Sequence, residues 1–254
     1  PIIATSKPPP RGAVYAFELV NNEWRSAGKL LASDGGADAH FGMSVDMFGD
    51  TAVVGAYAQD GQGAAYVFRK SQGSWQEVTR LDREDGEGGD NFGWSVAVHE
   101  DIILVGATGT DGAGKNSGSV VVFELRDGVW SQTVTLVAPD ALPEDNFGNA
   151  IELNARYAAI GASNDDSATG SNSGSVYIFS REGNGWSYQQ KISAFDASAE
   201  DKFGSSLALS DTLLTVGAVE DHDRGPNSGS VYVYTLVNGM WRDPAKLTAS
   251  SGHS

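Results

Sequence analysis

Cysteine is absent from this chain of 254 residues, which excludes disulfide frameworks, thiolate nucleophiles and cysteine-ligated metal sites together. No run of about 18 apolar residues is present, so nothing in the sequence would span a bilayer as a helix. Basic charge is scarce. Seventeen Lys and Arg face 33 Asp and Glu, and a net charge of −16 repels phosphate backbones, which argues against nucleic acid as a partner. The four histidines His40, His99, His222 and His253 show no metal-ligand spacing, and no stretch keeps a helical period for ten residues. A charged-then-apolar start is also missing, which reads as a mature or trimmed chain.

What is present is a repeat. Phe-Gly recurs at Phe41-Gly42, Phe92-Gly93, Phe147-Gly148 and Phe203-Gly204, and Gly-Ala follows fourteen residues later at Gly55, Gly106, Gly161 and Gly217. A glycine then opens an alternating segment at Gly12, Gly63, Gly118, Gly174 and Gly229. Twelve residues beyond each comes a tryptophan (Trp24, Trp75, Trp130, Trp186, Trp241), and six further on Leu30, Leu81, Leu136, Ile192 or Leu247. Each unit holds four short β-branched and aromatic runs separated by Gly, Asn, Asp and Ser, which predicts four strands, A to D. Strand A follows Phe-Gly, B runs into Gly-Ala, C follows the opening glycine, and D runs from tryptophan to leucine. Four-stranded units of this length predict an all-β fold, a β-propeller whose antiparallel blades bury their faces against one another. The units fall at about 1–40 (partial), 41–91, 92–146, 147–202 and 203–254, within one predicted domain over 1–254.

These motifs, Phe-Gly, Val-Gly-Ala, Gly-Ser-Val-Tyr-Val-Phe, then Trp and Lys-Leu, resemble the FG-GAP repeats of integrin α-subunit propellers, and more closely the bacterial and algal forms. The resemblance covers essentially the whole chain and implies a seven-bladed ring. It implies little about function, because propellers host many unrelated tasks. Integrin-type propellers carry calcium in an Asp-rich segment between strands A and B. Here those turns, 47–50, 99–101, 154–156 and 210–212, are short and lack the motif, so the family's calcium residues have no counterparts.

Aligning Gly12 with the other opening glycines places Ile2-Ile3-Ala4-Thr5 on strand B, so the expected tally is five blades short of one strand A, read as a piece of a larger protein or as a five-bladed ring with one incomplete sheet. Pro8-Pro9-Pro10 falls in the loop between strands B and C. The recurring glycines, tryptophans and phenylalanines read as packing and turn residues. Trp94 stands apart, since the other units carry Met43, Asn149 or Ser205 there, and it reads first as a local core adjustment and second as a ligand platform.

Only the B–C loops vary in length: 57–62, 108–117, 163–173 and 219–228. In an up-and-down blade they emerge on the same face as the D–A loops that link blades, which together place twenty of the 33 acids on one face. The B–C set Asp60, Asp111, Asp165, Asp166, Glu220, Asp221 and Asp223 forms the expected ligand-binding face. In the D–A loops Asp34, Asp85, Asp140 and Asp196 occupy one register and Asp90, Asp145 and Asp201 a second, five residues on. These are the expected metal ligands, with calcium as the cofactor hard carboxylate oxygens would take. The alternative is a solvated rim in which aspartates cap their own turns.

No convergent catalytic set stands out, and although acidic loops can bring a glycosidase-like pair together, nothing selects one. The expectation is a non-catalytic extracellular or cell-surface module that binds a protein or glycan through the loop face, without membrane insertion. The alternative is a structural repeat that displays or spaces other domains of a larger assembly.

Overall fold

A computed structural model describes residues 2–6, 12–183 and 185–250, the first segment through its backbone alone. Pro8-Pro9-Pro10 and His253 lie outside the described residues. Two compact units emerge: residues 1–110 with 120–136, and residues 111–119 with 137–254.

The first unit holds three sheets. Blade 1 has β1 (Ile2–Ser6), β2 (Ala13–Val20) and β3 (Glu23–Leu30); blade 2 has β4 (Val45–Phe48), β5 (Thr51–Ala56), β6 (Ala64–Ser71) and β7 (Ser74–Leu81). Blade 3 has β8 (Phe92–His99), β9 (Ile102–Ala107), β10 (Ser119–Arg126) and β11 (Val129–Leu136). The second unit holds blade 4, with β12 (Ile151–Leu153), β13 (Tyr157–Ala162), β14 (Ser175–Glu182) and β15 (Gly185–Ile192). It also holds blade 5, with β16 (Phe203–Leu209), β17 (Leu213–Ala218), β18 (Ser230–Val237) and β19 (Met240–Thr248). Strands pair in chain order within every sheet, all antiparallel, as expected for propeller blades. Blade 1 has three strands, and β1 pairs with β2 in the strand B position, Ile2 opposite Phe17 and Ser6 opposite Ala13.

Burial explains the sequence pattern strand by strand. Strands B of blades 2, 3 and 4 are buried on both faces, so β9 reads Ile-Ile-Leu-Val-Gly-Ala without alternation, whereas β17 of blade 5 alternates from an exposed Leu213. Strands D of blades 2 and 3 alternate exposed and half-buried residues along most of their length, because one face meets water. The C–D hairpins turn through Asn21-Asn22, Gln72-Gly73, Asp127-Gly128 and Asn238-Gly239. All eight residues have positive φ, the geometry of the two-residue turns that match strand twist. Every C–D pair carries a register shift about midway, such as Val122/Phe123 and Ile178/Phe179, which bends the outer strand.

The Phe-Gly pair works in two directions. Its aromatic ring stays in its own blade: Phe41 meets Tyr66 edge-on at 5.5 Å, Phe147 meets Tyr177 at 5.5 Å and Phe203 meets Tyr232 at 5.3 Å. Its backbone faces the opening glycine of the blade before, with parallel bridges from Gly63 to Phe92 and from Gly118 to Phe147. A Cβ at Gly63, Gly118 or Gly174 would overlap the carbonyl oxygen of Phe92, Phe147 or Phe203 respectively. That close approach is why the sequence keeps glycine there. The cores lie between the sheets, one of them joining Ile178, Val176, Phe203, Leu214, Val216, Tyr232 and Trp241 between blades 4 and 5.

The tryptophans reach back in the same sense. Trp241 packs on Tyr157 of blade 4 at 5.8 Å, and its backbone N–H donates to Gln190 Oε1. Trp24, with no described blade before it, is 51% exposed.

Candidate binding face

The B–C and D–A loops do share one end of each blade, and a polar cluster recurs there. In blade 5 the Tyr232 hydroxyl donates to Asp196 Oδ1 (2.7 Å) from the D–A loop and lies 3.2 Å from Asp221 Oδ2 of the B–C loop. Lys246 on strand D closes the cluster with Nζ at 2.8 Å from Asp196, 2.7 Å from Asp221 and 2.6 Å from Asp223. Blade 4 repeats it. Tyr177 donates to Asp140 (2.7 Å), and Lys191 lies 2.7 Å from Asp140 and 2.9 Å from Asp165. In blade 2 Tyr66 donates to Asp34 (2.7 Å), and Arg80 bridges Asp34, Asp60 and Asp82.

Burial decides what these carboxylates do. Asp165 and Asp221 are each 2% exposed, so they belong to the interior of the blade and not to its rim. A buried carboxylate without a cation would be costly, and the strand D lysine meets that need. Burial raises the Asp221 pKa, but the Lys246 ammonium and the Asp223 amide outweigh it and hold the group below its ordinary range. Asp34 and Asp140 are likewise lowered: burial pushes them up, and tyrosine and cation hydrogen bonds push them further down.

The second register behaves differently. Asp90, Asp145 and Asp201 are all buried, and each Oδ2 accepts the backbone N–H three residues earlier, from Glu87 (2.9 Å), Leu142 (2.6 Å) and Ser198 (2.7 Å). These aspartates cap their own D–A turns. Burial, followed by the charge of Asp165, drives Asp145 up to about 6, and burial together with Asp221 raises Asp201. Asp85 breaks the first register, pairing with Arg83 Nε at 2.7 Å, because blade 3 has Val121 and Thr135 where the others have tyrosine and a base.

Other B–C carboxylates shape loops. Asp111 and Asp166 accept the N–H of Asn116 and Asn172 (both 2.8 Å), and the amides of those asparagines donate to Glu144 and Glu200 in the next D–A loop (both 2.8 Å). The carbonyl of Glu220 lies 2.9 Å from His222 Nδ1. Among the described residues no group of three or more His, Asp or Glu side chains converges as a metal ligand set. The A–B turns remain short and carry no calcium loop.

One feature of this face escaped the repeat logic. His40 stacks on Tyr57 at 4.8 Å and 15°, and Tyr57 packs against Trp94 at 5.0 Å. His40 is exposed, and Tyr57 and Trp94 are half-buried. Trp94, near the start of β8, thus joins two loop residues in an aromatic stack at the loop end of blades 2 and 3. The signal was there to find: residues just before Phe-Gly, just after Gly-Ala and just after Phe-Gly are aromatic together only here.

The comparisons with known proteins agree with this architecture. The FG-GAP repeat family matches residues 24–68, 75–123, 130–179 and 186–234, most of the chain, and the protein belongs to that family. No curated protein matches it. Among solved structures it is similar to two proteins that bear the provisional name 6-phosphogluconolactonase. For the one from Bacteroides uniformis the TM-score is 0.61 at 12% identity, covering 94% of this chain and 64% of that one. For the one from Bacteroides fragilis it is 0.63 at 13% identity, covering 97% and 67%. The chain therefore spans about two thirds of their length, and at such identity the likeness shows the fold alone. Among the described residues no helix is long and apolar enough to cross a membrane.

Proposed function

We propose that the chain is a non-catalytic binding module of an extracellular or cell-surface protein, and that its B–C/D–A loop face holds a protein or glycan ligand. The observation that carries this reading is the His40–Tyr57–Trp94 stack. The repeat does not need these side chains, because the other blades fold with small, polar or aliphatic residues at the same positions. Aromatic surface at a loop face is suited to sugar rings and to apolar or cationic side chains. The exposed Asp60, in the B–C loop that carries Tyr57, favours neutral or basic ligands over anionic ones.

The test is binding to arrays of neutral oligosaccharides and of basic peptides, compared between the parent protein and Trp94→Ala. Loss of binding with an unchanged unfolding midpoint supports the reading, and unchanged binding by Trp94→Ala and Tyr57→Ser sinks it. Running each array with calcium and with a chelator separates direct recognition from recognition through calcium.

A further inference from the structure

Two junctions between neighbouring blades use the same registers, yet only one of them is closed at the end away from the B–C and D–A loops. Between blades 4 and 5 the ring of Tyr157, four residues before Gly161, packs beside Trp241 at 5.8 Å. Gln190 of β15 clamps the Trp241 backbone: its Nε2 donates to the Trp241 carbonyl and its Oε1 accepts the Trp241 N–H, both at 3.0 Å. Gln189 Nε2 donates to the Gly239 carbonyl at 2.5 Å. Trp241 is left 2% exposed.

Between blades 2 and 3 each of those fillers is changed. Thr51 stands four residues before Gly55 in place of the tyrosine, and Val78 and Thr79 stand three and four residues after Trp75 in place of the glutamines. Trp130 is only half-buried, and a cavity of about 320 Å³ opens beside it, in the size range of small-ligand sites. Among the described residues no blade 2 side chain hydrogen-bonds the Trp130 N–H, the Trp130 carbonyl or the Gly128 carbonyl, the counterparts of the groups that Gln190 and Gln189 hold. Val78 and Val129 wall the cavity while 52% and 61% exposed. Its polar wall is Arg69, paired across the sheet with Thr51 where Ser180 pairs with Tyr157. Among the described residues the Arg69 guanidinium has no hydrogen bond or ion pair, in a chain with 33 acidic residues against 17 basic ones.

We infer that this cavity binds the free C-terminal end of an extended peptide whose last residue is aromatic. The ring takes the space that Tyr157 fills in the closed junction. The residue before it offers its N–H and C=O to the Trp130 carbonyl and N–H, as the Gln190 carboxamide does for Trp241. The terminal carboxylate meets Arg69, whose planar fork matches it with two parallel hydrogen bonds. Backbone pairing with capture of a terminal carboxylate is an established mode of peptide recognition. Thr51 follows the A–B turn and Gly128 lies in the C–D turn, so the site is at the opposite end of the blades from the His40–Tyr57–Trp94 stack.

The probe is acetyl-Gly-Val-Tyr with a free carboxylate, titrated calorimetrically into the purified chain beside the same peptide as its C-terminal amide. The expected result is saturable binding of the acid, with the amide weaker by about tenfold or more. Arg69 is exposed, so Arg69→Gln leaves the fold intact and is expected to bind acid and amide equally weakly. Thr51→Tyr copies the closed junction and is expected to abolish binding. Trp94→Ala is expected to leave binding unchanged, which separates this site from the loop face. Failure to saturate at millimolar peptide, equal affinity of the parent protein for acid and amide, full binding by Thr51→Tyr, or loss of binding in Trp94→Ala would each overturn the inference.

Discussion

Blades 3 and 5 share their opening glycine, their Phe-Gly, their Gly-Ala and their tryptophan, yet differ in what fills the loop end of the sheet. Blade 5 places Tyr232, Lys246 and Asp221 there, under Asp196. Blade 3 places Val121, Thr135 and Thr110, with the Thr110 hydroxyl donating to the Ala107 carbonyl. Both arrangements are buried except for the half-buried Thr135 and Lys246, and both blades form. The opening glycines are dictated by backbone approach, and the phenylalanines by ring packing within their own blade. The polar cluster fills a volume that less polar residues also fill, so blade 3 forms without the cluster's tyrosine, its strand D base and its B–C aspartate.

Breaking the shared part should have the largest effect. Gly174→Ala puts a methyl group onto the Phe203 carbonyl at a residue with φ of +84°, and the carbonyl has no room to withdraw. The expected loss is roughly 4 kcal/mol, a large share of the stability of an ordinary domain. Gly229→Ala costs only its positive φ, about 1 kcal/mol, because the added methyl group would meet nothing nearer than Val219 O at an ordinary contact distance of 3.4 Å. Urea melts of the two variants check this, and equal destabilisation would contradict the close-approach account.

Breaking the variable part should cost somewhat less. Lys246→Met removes the cation from Asp221, whose side chain is only 3% exposed, and a loss of about 3 kcal/mol is expected. Adding Asp221→Asn to Lys246→Met removes the buried charge and leaves only the more exposed Asp196 and Asp223, and should recover more than half of that loss. A double-mutant cycle measures the coupling, and additive losses would show that the lysine acts by packing alone. Acid should act on the cluster in the same direction. Asp34, Asp140 and Asp221 have folded pKa values below the unfolded one, so their stabilisation is present at neutral pH and is lost as pH falls below about 4.

Most of the fold could be read from register, because strand and turn requirements act on neighbouring residues. The expected strand B at Ile102-Ile103-Leu104-Val105 lies within β9, the expected strand C at Ser175–Phe179 within β14, and Ile2 to Thr5 sit on strand B of blade 1. The site was less legible. The first Asp register was visible, but its hydroxyl partner lies 32 to 37 residues on and its cation about 50, across a blade boundary. Those partners do recur, at the third residue after the opening glycine and the fifth after the tryptophan, and reading all three registers together would have assembled the cluster. The exposure of Trp24 and Leu247 could not be foreseen, since it depends on which blade is beside each residue and not on the repeat itself.

The smallest expected effect sharpens the comparison within the capping register. Asp145 has a folded pKa of about 6 against about 4 unfolded, so the folded state binds the proton more tightly. Its charged form therefore weakens the protein as pH rises through 4 to 6, and the penalty is complete above 6. Asp145→Asn keeps a carbonyl oxygen for the Leu142 N–H and has no charge to bury beside Asp165. It should stabilise the protein by roughly 1 kcal/mol at pH 8, an advantage that shrinks toward zero at pH 4. Midpoints measured across that range decide the matter: a gain independent of pH would mean that the amide improves packing and that the buried charge was never the cause.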